Sequence, residues 1–172
     1  MPVGWLRVRE VFMTATLEEP IAAATPEGTV TVTSMARDWA RRTPSQVAMR
    51  EKDFGIWQDY TWERTWGLVL DAAHGLLALG VEPADRVSIQ SEDRPEWIIL
   101  DLATVAIRSV TVGLYPTNPT AEVEYLLTDS GSTVHLAEDQ EQVDRVLDIE
   151  PSKLDRLVRV LYCEPRGVQA YE

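Results

Sequence analysis

Residues 80–131 read GVEPADRVSIQSEDRPEWIILDLATVAIRSVTVGLYPTNPTAEVEYLLTDSG. This stretch decides the fold. It alternates a short β-rich run, a long apolar run, a second β-rich run and a second helical run. Arg86 to Gln90 is a strand candidate. Pro95 opens a helix, because its missing N–H costs nothing in the first turn. From Trp97 to Ile107 nearly every position is apolar or small, Asp101 and Thr104 being the exceptions. Such a run reads as a helix buried on most sides. Val110 to Tyr115 returns to β-branched residues. Asn118 followed by Pro119 reads as a helix start, a side-chain cap and then proline. Val123, Leu126 and Leu127 give that helix one apolar face, and Gly131 ends it.

Working outward towards the N-terminus, residues 1–32 hold Pro2, Pro20, Pro26 and Gly28 and show no periodicity. They read as an irregular lead-in. MTATLEEP from Met13 looks more like a beginning than MPVGWLRV does. Thr33 or Ser34 caps a short helix carrying Met35 and Trp39 on one face, and Thr43-Pro44 stops it. Val47 to Glu51 and Ile56 to Thr61 flank a turn at Gly55 and read as a hairpin. Thr61 caps the next helix. Its stripe of Trp62, Trp66, Val69, Ala73, Leu76 and Leu77 steps by three and four, and Gly80 ends it. On this spacing Trp62 and Trp66 are core rather than ligand-stacking groups.

Towards the C-terminus, Thr133 to Ala137 is a strand candidate. An acidic helix runs from about Glu138 to Ile149 with a solvated face, and Leu157 to Tyr162 is the last strand. Strands alternating with helices imply parallel pairing through right-handed crossovers. The expectation is an α/β fold: a mainly parallel sheet with helices on both faces, plus an N-terminal hairpin.

Composition excludes several classes. The chain has 172 residues, 45% hydrophobic and 26% charged, an ordinary globular balance. Its net charge of −12 makes it a poor binder of a phosphate backbone, so nucleic acid is not an expected partner. Cys163 is the only cysteine, which fits a reducing cytoplasm and reads as a structural thiol. The first residues hold Arg7, Arg9 and Glu10, so no secretory leader is expected. No apolar run has the length of a membrane span. His74 lies inside an amphipathic helix. His135 lies mid-strand with no partner cysteine or histidine nearby in sequence, so neither reads as a metal ligand. No Gly-x-Ser-x-Gly elbow occurs. Glu92, Asp93 and Glu96 sit at a helix start and read as capping acids.

Three phrases carry a resemblance: Asp85-Arg86-Val87 opening a strand, Arg94-Pro95-Glu96-Trp97 opening a helix, and Tyr115-Pro116-Thr117-Asn118-Pro119. Tyr60 to Glu63 (YTWE) and RRTPSQVA, ending at Ala48, add to it. The chain from about Thr33 to Tyr162 resembles the N-terminal region of adenylate-forming (AMP-binding) acyl-CoA synthetases, most of all the long-chain fatty-acid–CoA ligases. Arg108 stands where that family usually has glycine, and Gly113 where proline is frequent.

The resemblance implies an enzyme that activates a fatty acid with ATP and magnesium and passes the acyl group to CoA. It implies peripheral membrane contact through lipid substrates. The family's adenylation chemistry uses a Ser/Thr/Gly-rich loop ending in Pro-Lys-Gly, a Tyr-Gly-x-Thr-Glu segment, a ribose-binding aspartate and a C-terminal lysine. None of these phrases occurs here, and only Lys52 and Lys153 are lysines. Residues 33–172 therefore read as an incomplete N-terminal α/β subdomain, inactive alone, with no catalytic residue, metal ligand or cofactor site of its own. Its expected partner is the rest of the synthetase. The best candidate site is the loop after the second strand of the central stretch, with Tyr115, Thr117 and Asn118 contacting substrate. The plainer reading of those residues is a strand-to-helix turn. Two other functions stay open. One is a non-catalytic α/β binding module or partner subunit of a split synthetase, which predicts an exposed apolar patch. The other, a small self-sufficient nucleotide-binding domain, is disfavoured because Glu92 and Asp93 stand where a phosphate loop belongs.

Overall fold

Ser88 and Gln90 alternate with Val87 and Ile89 along one short strand, and the fold is wound about it. The computed structural model describes residues 4–7 and 30–168. The strands are β1 (Gly4–Arg7), β2 (Val47–Asp53), β3 (Ile56–Thr61), β4 (Arg86–Gln90), β5 (Val110–Leu114), β6 (Val134–Ala137) and β7 (Arg159–Tyr162). The helices are α1 (Val32–Arg42), α2 (Trp62–Ala78), α3 (Pro95–Ala106), α4 (Thr120–Ser130) and α5 (Gln140–Leu147), with a 3-10 turn at Pro151–Lys153.

The main sheet has the order β1-β7-β6-β4-β5, and every pair in it is parallel. β2 and β3 form a separate antiparallel hairpin. In register, Ile89 of β4 stands beside Leu136 of β6, which stands beside Leu161 of β7. All three face α2 and α3, in a core with Val69, Leu76, Leu100 and Ala103. The alternate residues face the other way. Leu114, Ala137, Val160 and Tyr162 pack with Val123, Leu127, Val143 and Val146 of α4 and α5. Helices thus cover both faces, as parallel sheets require.

The lead-in is not wholly irregular. Gly4–Arg7 pair in parallel with Arg159–Tyr162. The reason is an open edge: the outer backbone groups of β7 are a template for one more strand. Residues 8–29, Met13 among them, and 169–172 lie outside the described residues.

Helix signals held with small displacements. Thr31, not Thr33 or Ser34, is the cap of α1; its hydroxyl accepts from the Ser34 N–H, and Ser34 Oγ accepts from the Thr31 N–H. That reciprocal pair is a capping box in which serine plays the acid's part. Met35 and Trp39 remain 51% and 46% exposed, although Trp39 stacks on Trp62 at 6.0 Å. Thr61 Oγ1 accepts from the Arg64 N–H and caps α2. Pro119, not Asn118, is the cap residue of α4, with no side-chain cap bond. Asn118 Nδ2 instead donates to Glu122 Oε2. Glu92 and Asp93 do not cap α3 either; Arg94 is its cap residue, and only Glu96 lies in its first turn. α3 is also less enclosed than its composition suggests, since Ile98 and Val105 are 46% and 42% exposed.

Arg108 explains the family's glycine. It sits just past the C-terminus of α3 with φ +67°. A side chain in that left-handed position is strained, and glycine is the usual solution. Arg108 is exposed and makes no side-chain hydrogen bond or ion pair among the described residues, while its carbonyl accepts from the Ala84 N–H at 2.9 Å. Arg108→Gly is therefore expected to stabilise the chain by about 0.5–1 kcal/mol, measured by urea unfolding, after the looser unfolded chain is allowed for. Equal or lower stability would mean the turn is not strained.

Candidate functional site

The C-terminal ends of β4 and β5 frame a cleft of about 470 Å³. Ser91, Glu92 and Asp93 line it from the loop after β4, and Trp97 from the first turn of α3. Gly113 to Pro116 line it from the end of β5. The winding of the sheet puts it there. β4 leads into α3 on one face and β5 leads into α4 on the other, so the two connections part company at this end. Open α/β sheets bind ligands at such divergences.

The loop after β5 is held by its backbone. Gln90 Nε2 donates to the Tyr115 carbonyl at 3.2 Å. Gln142 Nε2 donates to the Pro116 carbonyl at 3.4 Å, and Arg145 Nη1 donates to the same oxygen. The Asn118 N–H closes the turn on the Tyr115 carbonyl at 3.0 Å. Fixed carbonyls leave the side chains free to act. Tyr115 is 79% exposed and lines the cleft. Thr117 is exposed, and Asn118 is half-buried with its amide on Glu122; neither lines the cleft. Of the three predicted contacts the structure therefore brings Tyr115 alone to this cavity.

The neighbouring position, between β4 and β6, is closed by charge. Glu138 Oε2 accepts from the Glu92 N–H at 2.7 Å. Arg94 lies 3.4 Å from both Glu96 and Glu138. Burial would lower the Arg94 guanidinium, but Glu96 chiefly, then Cys163 and Glu138, hold it above its ordinary value. Burial, with Glu96 beside it, pushes the Cys163 thiol far up, which fits a structural thiol and not a nucleophile. None of Gln90, Glu138, Gln142 and Arg145 was singled out from sequence. Their partners lie about 25 to 46 residues away, and no local pattern marks them.

One buried pair lies behind the loop. Ser88 Oγ and His135 Nδ1 are 2.8 Å apart across β4 and β6. His135 is fully buried, and burial lowers its pKa to about 3, so it is neutral at physiological pH. Its Nε2 and the Oε1 of Gln90 have no hydrogen-bond partner among the described residues.

Chemically, the cleft offers two carboxylates, a phenol and an indole. The charged groups of its lining are acidic, so it does not fit a triphosphate. Among the described residues no group of three His, Cys, Asp or Glu side chains is placed to hold a metal ion. No helix among them is long and apolar enough to cross a membrane.

Known proteins agree with this architecture. The AMP-binding enzyme family's sequence profile matches residues 36–170. The long-chain-fatty-acid–CoA ligase FadD15 of Mycobacterium bovis is 36% identical over 121 residues, covering 70% of this chain and 20% of the relative. The mouse long-chain-fatty-acid–CoA ligase ACSBG2 is 23% identical over 135 residues, covering 78% and 20%. The chain thus spans about a fifth of the length of these curated relatives. Two solved structures share the fold. The acetoacetyl-CoA synthetase of Streptomyces lividans superposes with a TM-score of 0.70 at 24% identity, over 78% of this chain and 22% of that one. A fatty acyl CoA synthetase of Mycobacterium tuberculosis does so at 0.68 and 19% identity, over 81% and 28%. With its doubly wound sheet, its strand-end cleft and a profile match over most of its length, the chain belongs to the AMP-binding enzyme family.

Proposed function

We propose that residues 33–172 form the incomplete N-terminal α/β subdomain of a long-chain fatty-acid–CoA ligase. The whole enzyme joins a fatty acid to ATP as an acyl-adenylate, with magnesium, and then transfers the acyl group to CoA. This segment contributes scaffold and binding surface, not the adenylation centre, and holds no ATP, magnesium or CoA itself. The observation that carries the reading is the pinned loop at the strand ends. Gln90, Gln142 and Arg145 fix the Tyr115 and Pro116 carbonyls, and Tyr115 presents its side chain to the cleft. In this reading Tyr115, Thr117 and Asn118 border the approach of the acyl chain or of CoA. The enzyme works in the cytoplasm and meets its lipid substrate at a membrane surface.

A second reading has one observation in its favour. Ile98 and Val105 of α3, and Val110 on the edge strand β5, are 46%, 42% and 51% exposed. An edge that is unpaired among the described residues, beside exposed apolar groups, is a surface that another polypeptide could cover. This favours a partner subunit of a split synthetase.

Fatty-acid-dependent exchange of pyrophosphate into ATP separates the two. The purified chain is expected to be silent. Exchange by the chain alone would overturn the claim that the adenylation centre lies elsewhere. Exchange that appears only on mixing with a polypeptide carrying the remaining ligase motifs selects the split synthetase.

A further inference from the structure

Three polar side chains lie inside the sheet, on the face turned to α4 and α5. Ser88 and Gln90 stand two apart on β4 and share that face. In register, His135 of β6 is beside Ser88, and Ala137 is beside Gln90. Ser88, Gln90 and His135 have no exposed surface. Their hydrogen bonds fix the role of each atom. Ser88 Oγ has one proton, and the Val134 carbonyl at 3.3 Å can only accept it. The 2.8 Å bond between Ser88 Oγ and His135 Nδ1 then takes its proton from the ring. That leaves Nε2 of the neutral ring as an acceptor. Gln90 Nε2 donates to the Tyr115 carbonyl, so its Oε1 is an acceptor as well. Neither His135 Nε2 nor Gln90 Oε1 has a partner among the described residues.

Buried acceptors are almost always bonded. These two cannot satisfy each other, because neither carries a proton. With no exposed surface at any of the three residues, a side chain from elsewhere has no way in. Water is the small molecule that donates twice. The Cα atoms of Gln90 and His135 stand about 8 Å apart, one strand across and two residues along, a span that two long side chains and one water fill. We infer that one ordered water, donating to His135 Nε2 and to Gln90 Oε1, ties the buried Ser88–His135 pair to the loop at the cleft. The chain of bonds runs from the Val134 carbonyl through Ser88, His135, the water and Gln90 to the Tyr115 carbonyl, where the Asn118 N–H also donates at 3.0 Å. His135 is thereby a positioning residue for the loop that presents Tyr115. It acts through Gln90 and does not itself line the cleft.

Ligase activity is not needed to see this relay, and a chain silent in pyrophosphate exchange still shows it. NMR of the 172-residue chain is the test. Long-range proton–nitrogen correlations should place the ring proton of His135 on Nδ1. The ring C–H groups flanking Nε2 should show cross-relaxation to a long-lived water, and Gln90→Met should abolish it. A ring proton on Nε2, or no such water in the wild-type chain, overturns the inference. Amide exchange then reads the relay at its far end. His135→Leu should speed exchange of the Asn118 N–H about fivefold relative to the sheet amides, Gln90→Met should do the same, and the double variant should add nothing more. His135→Gln, which returns an acceptor to the end of the side chain, should restore most of the protection. Leu136→Ala is the control, since Leu136 is next along β6 and packs on the opposite face of the sheet. It should speed the sheet amides and leave the Asn118 ratio unchanged. A ratio that His135→Leu does not raise, or that Leu136→Ala raises as much, reduces His135 to a core residue and overturns the inference.

Discussion

Leu136→Ala lowers the free energy of unfolding by about 3 kcal/mol and the midpoint of thermal unfolding by about 10 °C. Leu136 has no exposed surface. It lies at the middle of the sheet, flanked in register by Ile89 and Leu161 under α2 and α3. Truncation loses the transfer free energy of the removed carbons and leaves a cavity that two strands and two helices cannot fill. The matched control is Leu147→Ala on α5. Leu147 is 47% exposed, and its loss should cost under about 1 kcal/mol. Urea unfolding of the three proteins measures both. A loss at Leu136 no larger than at Leu147 would show that the sheet is not packed as described.

His135 makes stability depend on pH, and the sign follows from its burial. Its pKa is about 3 when folded, against an ordinary 6.5. Above about pH 6.5 the ring is neutral folded and unfolded, and its contribution is fully present. Below that the unfolded chain takes up a proton that the folded chain refuses. Stability then falls as pH drops towards about 3, with a limiting slope of about 1.4 kcal/mol per pH unit. From pH 7 to pH 5 this one group removes about 2 kcal/mol. His135→Leu keeps the volume and abolishes the titration, while Ser88 Oγ keeps the Val134 carbonyl as its acceptor at 3.3 Å. The variant should lose about 2 kcal/mol less than the wild-type chain between the two pH values. The carboxylates contribute alike to both proteins and cancel in the comparison. Parallel stability curves would mean that His135 is protonated, or solvated, in the folded state.

The legible part of the fold was local. β4 forms over residues 86–90, the range its sequence predicts, because β-branched alternation and the flanking turns are written in consecutive residues. Pro95 at the start of α3, Thr61 at the start of α2 and Gly131 at the end of α4 act within one turn of their own positions, and they stand where read. Asn118 misled because it carries both capping chemistry and a partner one turn on. Glu122 takes its amide, and proline supplies the cap position. The run from Trp97 to Ile107 misled for another reason. Apolar residues all round a helix say that it can be buried, not that the chain supplies enough neighbours, and Ile98 and Val105 stay 46% and 42% exposed among the described residues.

The sequence by itself determined the family and the alternation of strands and helices. Each of these is encoded in residues a few positions apart. The tertiary structure alone decided which face each strand residue takes. One register puts Ile89 and Leu136 towards α3 and buries Ser88 with His135 on the other side. It also brought Gln90, Gln142 and Arg145 onto two loop carbonyls, and among the described residues it left Phe54, Ile56 and Trp57 largely exposed. The physical reason is common to all three. Burial and hydrogen bonding between distant residues depend on what the sheet places side by side, and a linear chain does not write its own neighbours.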